Sequence, residues 1–170
     1  MTTTDEGLAA IRQLAPAENW LAVLVTTRPD GAPAVSVVNA GILPHPGTGD
    51  PVVALVSRGR TAKLRNLRAN PSATLVFRSG WQWVGVSGTA ELAGPDDPAP
   101  GLDAERLRVL LRDIYAAAGG QHPDLDEYDR EMVADRRTAV LVTPSRFHGN
   151  PRDRKDGPVL NARSRRALPC

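Results

Sequence analysis

One stretch of this chain concentrates groups that bind anions: Ser57-Arg58-Gly59-Arg60-Thr61-Ala62-Lys63-Leu64-Arg65-Asn66-Leu67-Arg68. Five of its twelve residues are cationic and none is acidic, while the rest of residues 1–149 carries a net charge of −7. Lys63 is the only lysine before residue 155. The apolar run before Ser57 reads as a strand and the residues after Thr61 as a helix, so these charges fall where a helix begins. A helix N-terminus offers unpaired N–H groups and the positive end of the helix dipole. Ser57 and Thr61 add hydroxyl donors suited to phosphate oxygens. Two readings follow, a phosphate or polyanion cradle and a solvated helix face. The glycine, the hydroxyls and the local charge imbalance speak for the cradle.

Other constellations are weaker. Asp96-Asp97 falls in a Pro-rich loop and reads as solvated. The acidic run Asp124, Asp126, Glu127, Asp129 and Glu131 lacks the glycine and ligand rhythm of a calcium loop and reads as an exposed helix face. The three histidines, His45, His122 and His148, have no metal-ligand spacing. Cys170 is the only cysteine, which excludes an intrachain disulfide and cysteine-based metal sites. No metal site is expected. Val86-Ser87-Gly88 lacks the first glycine of a nucleophile elbow, and neither common nucleotide-binding glycine loop occurs. No catalytic side chain is therefore assigned. Trp81 and Trp83 flank the start of a strand, where an indole either caps the core or offers a flat face to a ring.

The elements that must position these groups follow from pattern. Leu8, Ile11 and Leu14 mark a helix over residues 4–14. Short β-branched runs mark strands at 20–27, 34–40, 52–57, 73–77, 83–92 and 138–143, the last ending before His148. Arg28-Pro29-Asp30-Gly31 is a turn between the first two. Helices are expected at 61–70, 103–118 and 125–135, with Asp103 as an N-cap. Gly85 and Gly88 inside the fifth strand imply a bulge or a close backbone approach. Segments 44–51 and 94–101 read as loops. Six short strands, hairpin-linked at first, with helices between some of them, argue for a mainly β, α+β fold built on an antiparallel closed sheet.

With 170 residues, 41% of them apolar, the chain suits one domain over 1–149 followed by a tail over 150–170. The tail carries +4 and the body −2. Such a body lacks the broad basic surface of a nucleic-acid binder. No apolar run approaches the roughly 18 residues of a membrane span, and Asp5 and Glu6 do not suit an export signal. A soluble cytoplasmic protein without nucleic-acid or membrane partners is expected.

Three blocks, Pro33-Ala34-Val35-Ser36-Val37-Val38, Ala62-Lys63-Leu64-Arg65-Asn66-Leu67-Arg68-Ala69-Asn70-Pro71 and Val86-Ser87-Gly88-Thr89-Ala90-Glu91-Leu92, resemble the pyridoxamine 5′-phosphate oxidase-like split β-barrel superfamily. The segment Gly119-Gly120-Gln121-His122-Pro123-Asp124-Leu125-Asp126-Glu127-Tyr128, running on to Asp135-Arg136-Arg137, is similar to its actinobacterial branch that uses the deazaflavin coenzyme F420. The resemblance implies a six-stranded antiparallel split barrel with flanking helices, forming a homodimer with two cofactor sites across the interface. It implies that Lys63 contacts the cofactor phosphate, supported by Arg60, Arg58, Ser57 and Thr61. Backbone groups of Val37 and Val38 would face the tricyclic ring, with Trp81 near it.

The activity implied by the resemblance is hydride transfer from the reduced deazaflavin to an activated double bond of a small hydrophobic molecule, which needs no side-chain nucleophile. An FMN-dependent oxidase or reductase of the same fold, and a non-catalytic binder of the cofactor or of a hydrophobic ligand, stand as alternatives. Oxidation of pyridoxine phosphate fits less well, because no second basic cluster follows the cradle; Arg136-Arg137 reads as a favourable helix end. The +4 tail suits the acidic polyglutamate portion of F420.

Overall fold

The computed structural model describes residues 3–150. The expected basic tail and its contact with a cofactor therefore fall outside the described residues. Six strands, β1 (Leu21–Thr27), β2 (Pro33–Pro44), β3 (Pro51–Ser57), β4 (Ser72–Ser79), β5 (Gln82–Ala93) and β6 (Thr138–Gly149), close into a barrel. Their order around it is β1-β2-β3-β6-β5-β4, with antiparallel pairing throughout. Four helices flank it: α1 (Thr4–Leu14), α2 (Ala62–Ala69), α3 (Ala104–Ala117) and α4 (Leu125–Ala134). Among the described residues no helix is long and apolar enough to cross a membrane.

The strands form where period-two patterning gives one buried face. Ala22, Leu24 and Thr26 of β1 alternate inward. They join Leu55, Leu75, Phe77, Val86 and Val140 in the barrel interior, with Leu8 and Ile11 of α1 and Leu64 and Leu67 of α2. Burying each such side chain contributes about 1.5–3 kcal/mol. Strand β3 is buried on both faces. Val53 and Leu55 face inward, while Val52 and Ala54 pack outward with Leu110, Leu111 and Ile114 of α3. Asp103 caps α3 as expected, accepting the Arg106 N–H at 2.9 Å. The end of α3 rests on Gly41, where a Cβ would lie 2.4 Å from the Ala117 carbonyl carbon. Only glycine permits that approach.

Several boundaries depart from the sequence reading. Strand β2 runs to Pro44 rather than residue 40, because Ala40–Pro44 pair with β3 while the end of α3 covers Gly41. Trp20 precedes β1 instead of opening it, since its φ of 58° breaks the extended chain. Strand β6 continues past Pro144, whose missing N–H would ordinarily end a ladder. Ser145 is the extra residue of a bulge at Ser87/Gly88, after which Ser87 pairs with Arg146 and Gly85 with His148. The bulge expected from the β5 glycines is thus present, and it carries the last strand through His148. His148 lies edge-on to Trp83, with ring centroids 5.4 Å apart.

Three further expectations are corrected. Trp81 does not cap the core, because it sits in the β4–β5 hairpin with 94% of its surface exposed. Asp96 and Asp97 are not merely solvated: Asp97 accepts two 2.7 Å bonds from the Arg68 fork, and Asp96 receives Arg136. The acidic helix run is also only partly a solvent face. Asp124 caps α4, and Asp129 is gripped by Arg108 and Arg112 of α3.

Candidate functional site

Strand β2 changes partners halfway along. Residues 33–39 pair with β1 and residues 40–44 with β3. Beyond Leu55, strand β3 continues along β6 alone, with Val56 opposite Ala139 and Ser57 opposite Thr138. A cleft of about 640 Å³ is lined by Val37, Val38 and Asn39 of β2, by Val56 and Ser57 of β3, and by Arg58 just after it. Thr61 and Lys63 of the α2 start, the end of α3, and His122, Tyr128, Glu131, Met132 and Arg137 also belong to the lining.

The cationic end is built from the turn between β3 and α2. Ser57 is buried, and its Oγ lies 3.1 Å from Thr61 Oγ1 and donates to the Arg58 carbonyl at 3.2 Å. Thr61 occupies the N-cap position of α2, yet its side chain makes no capping bond. The N–H groups of the first turn therefore keep no side-chain acceptor. Half-buried Lys63 lines the cleft, and no ion pair among the described residues engages it.

Arg58 and Arg137 also line the cleft, and both are held by one carboxylate oxygen. Arg58 Nε reaches Asp135 Oδ2 at 3.1 Å, and Arg137 Nη2 reaches the same atom at 2.9 Å. Burial raises the Asp135 pKa, but the bond from Arg137 and the charge of Arg58 outweigh it and hold the carboxyl below its usual range. Three cations against Glu131 and Asp135 leave this region net positive.

The other part of the cleft is aromatic. The Tyr115 and Tyr128 rings lie 4.9 Å apart, and His122 lies 5.9 Å from Tyr128. The buried Tyr128 hydroxyl donates to the Leu111 carbonyl at 3.1 Å, and burial pushes its pKa up to about 12. It stays a neutral anchor. Ile114, Ala118, Val38 and Met132 add apolar surface to the lining. A molecule with an anionic group and a flat apolar body matches this surface chemically.

Of the residues the sequence singled out, Val37, Val38, Ser57, Arg58, Thr61 and Lys63 come together in the cleft. Arg60 stands outside its lining, near enough to Asp96 to lower that carboxyl after the larger effect of Arg136. Trp81 lies outside the lining as well, on the β4–β5 hairpin. Arg137, His122, Tyr115 and Tyr128 were missed. His122, Tyr128 and Arg137 belong to the segment that carried the resemblance to the F420-using branch, which suggested no place for them in a cleft, and Tyr115 lies before that segment. Arg136-Arg137, read as a helix end, divides its duties: Arg136 reaches Asp96 and Arg137 lines the cleft.

Comparison with known proteins bears on this arrangement. Residues 8–151 match the family described as pyridoxamine 5′-phosphate oxidase. Similar solved structures include a conserved hypothetical protein from Mycobacterium tuberculosis, with 18% identity, a TM-score of 0.58, and coverage of 81% of this chain and 82% of that one. An F420 reductase matches at 19% identity and a TM-score of 0.52, covering 76% of this chain and 90% of its own. A pyridoxamine 5′-phosphate oxidase-related, FMN-binding protein from Nostoc punctiforme matches at 17% identity and a TM-score of 0.56, covering 85% and 80%. At these identities the structures speak to the fold, whereas the family match covers nearly every described residue. The chain belongs to the pyridoxamine 5′-phosphate oxidase family.

Proposed function

We propose that this protein is an oxidoreductase that binds coenzyme F420 in the cleft and works as a homodimer. The observation that carries the reading is Lys63, without an ion pair among the described residues, beside a helix start without a side-chain cap, in a cleft with apolar and aromatic surface. These residues fit a phosphate-bearing, ring-bearing cofactor. Lys63, Thr61 and the first-turn N–H groups of α2 would hold the phosphate, and the backbone of Val37 and Val38 would face the ring.

When bound and reduced, such a deazaflavin supplies a hydride to an activated double bond of a small hydrophobic acceptor. The chain's own part is to bind, orient and keep dry. Arg58 and Arg137 add positive potential near Lys63, and Ile114, Ala118 and Met132 offer apolar surface to the acceptor. The resemblance of Gly119–Tyr128 to the F420-using branch supports this cofactor, as does the F420 reductase among the structural relatives. FMN is the second reading, favoured by the FMN-binding relative.

The homodimer is supported by the outer face of β2, where Val35 and Val37 are 65% and 66% exposed. Val37 also lines the cleft, so a second copy seated on this face would screen the site from water. Titrating the purified protein with F420 and with FMN, by absorption and fluorescence, tests the cofactor. Turnover of the reduced complex with a panel of unsaturated carbonyl compounds tests the reaction. Binding of neither cofactor would overturn the proposal, and binding without turnover of any acceptor would favour a non-catalytic carrier.

A further inference from the structure

His122 is held by a set of contacts separate from the barrel ladder. Gly120 fits against the Tyr115 ring, where a Cβ would lie 2.5 Å from Cε2. The Tyr115 hydroxyl donates to the Gln121 carbonyl at 3.1 Å, fixing the backbone just before His122. The Asp124 N–H donates to His122 Nδ1 at 3.1 Å, and Asp124 is itself fixed as the cap of α4. The imidazole then meets Tyr128 at an interplanar angle of 59°.

Because Nδ1 accepts a hydrogen bond, the proton of the neutral ring sits on Nε2. Among the described residues no hydrogen bond involves His122 Nε2, while the half-buried ring lines the cleft. A preorganised N–H donor is thus left for whatever occupies the cleft. Its setting of rings and aliphatic side chains suits a neutral acceptor on a flat molecule; anions have Lys63.

We propose that His122 Nε2–H recognises a conjugated carbonyl oxygen of a planar ligand bound in the cleft, which makes His122 a specificity-determining residue. This rests on the functional reading above. The carbonyl belongs either to the cofactor ring or to the acceptor molecule, and the test separates the two.

Long-range proton–nitrogen NMR reads the tautomer and the Nε2 resonance, with His122 assigned through the variant His122→Gln. The expected result is the Nε2–H tautomer in the free protein. Its signal then moves either on adding oxidised F420 or on adding menadione to the F420-loaded protein, according to which carbonyl it meets. His122→Phe should weaken binding of that ligand about five- to tenfold, and His122→Gln, which keeps an N–H donor, should restore most of it. An Nδ1–H tautomer overturns the inference alone, as do unmoved His122 signals while the backbone amides of 57–63 shift. If neither region responds, the functional reading falls and this inference with it.

Discussion

The Ser57 hydroxyl lies 3.1 Å from that of Thr61, so the side chain at the N-cap position of α2 turns back toward the strand instead of capping the helix. A capping Ser, Thr, Asp or Asn contributes about 0.5–2 kcal/mol, and this protein forgoes it where an anion would bind. Thr61→Asp should supply both the missing cap and a negative charge at the positive helix end. The melting temperature should rise by about 2–4 °C per kcal/mol gained, while cofactor binding is lost. Thermal melts and ligand titrations on the same sample check the two opposite signs.

Lys63→Ala should weaken cofactor binding by roughly tenfold to a hundredfold, as expected when a charge-assisted hydrogen bond of about 1.5–3 kcal/mol is removed. Arg65→Ala, two residues on, should have little effect, because Arg65 is exposed and outside the cleft lining. Equal losses in a fluorescence titration at constant salt would place the anion elsewhere.

The pairing of Arg68 with Asp97 is geometric as well as electrostatic. Two parallel 2.7 Å bonds tie α2 to the 94–101 loop. Asp97→Ala should cost about 1 kcal/mol in urea unfolding. Arg68→Lys should recover little of it, because an ammonium cannot reproduce the fork.

Acid should loosen the packing of α3 on α4. Asp129 accepts from Arg112 Nε at 2.9 Å and from Arg108 Nη1 at 3.1 Å, and the bond from Arg112 leads the effects that hold its carboxyl below the usual range. A carboxyl with a folded pKa below its unfolded value stabilises fully above the unfolded pKa, about 4. That contribution fades as pH falls through the folded pKa. Urea midpoints measured from pH 7 down to pH 3 should therefore decline at the acid end. Asp129→Asn should lower the neutral value and flatten the decline.

Charge on the outer face of β2 should separate the proposed dimer. Val35→Asp places a carboxylate at a position 65% exposed in the single chain, so the monomer should fold normally. Sedimentation should then report half the mass of the parent protein, and cofactor affinity should fall with it. An unchanged mass would put the interface on another face.

What the residues disclosed in advance was local. Short β-branched runs marked the strands, Pro29-Asp30-Gly31 marked the first hairpin, and Asp103 marked a helix start that it does cap. The charged run from Arg58 to Arg68 gave away the cationic end of the cleft because its spacing along a single turn and helix is visible in one dimension. Arg137 was hidden for the opposite reason. Its place depends on the turn after α4 docking onto the turn after β3, where the Gly59 N–H meets the Asp135 carbonyl at 3.1 Å. Pairings across such separations are set by the partner strand and leave no local trace, and the bulge that carries β6 past Pro144 showed only through Gly85 and Gly88 in the facing strand.

The change of partners along β2 couples two things that would otherwise vary apart. The same twelve residues form a wall of the cleft at Val37–Asn39 and, at Ala40–Pro44, the seam with β3 under α3. Inserting or deleting one residue at the junction would invert the facing of one half against the other. Natural variation can therefore retune the cavity on this side by exchanging side chains but not by altering length, and relatives with different ligands should keep this strand's residue count while freely changing loops such as 94–101.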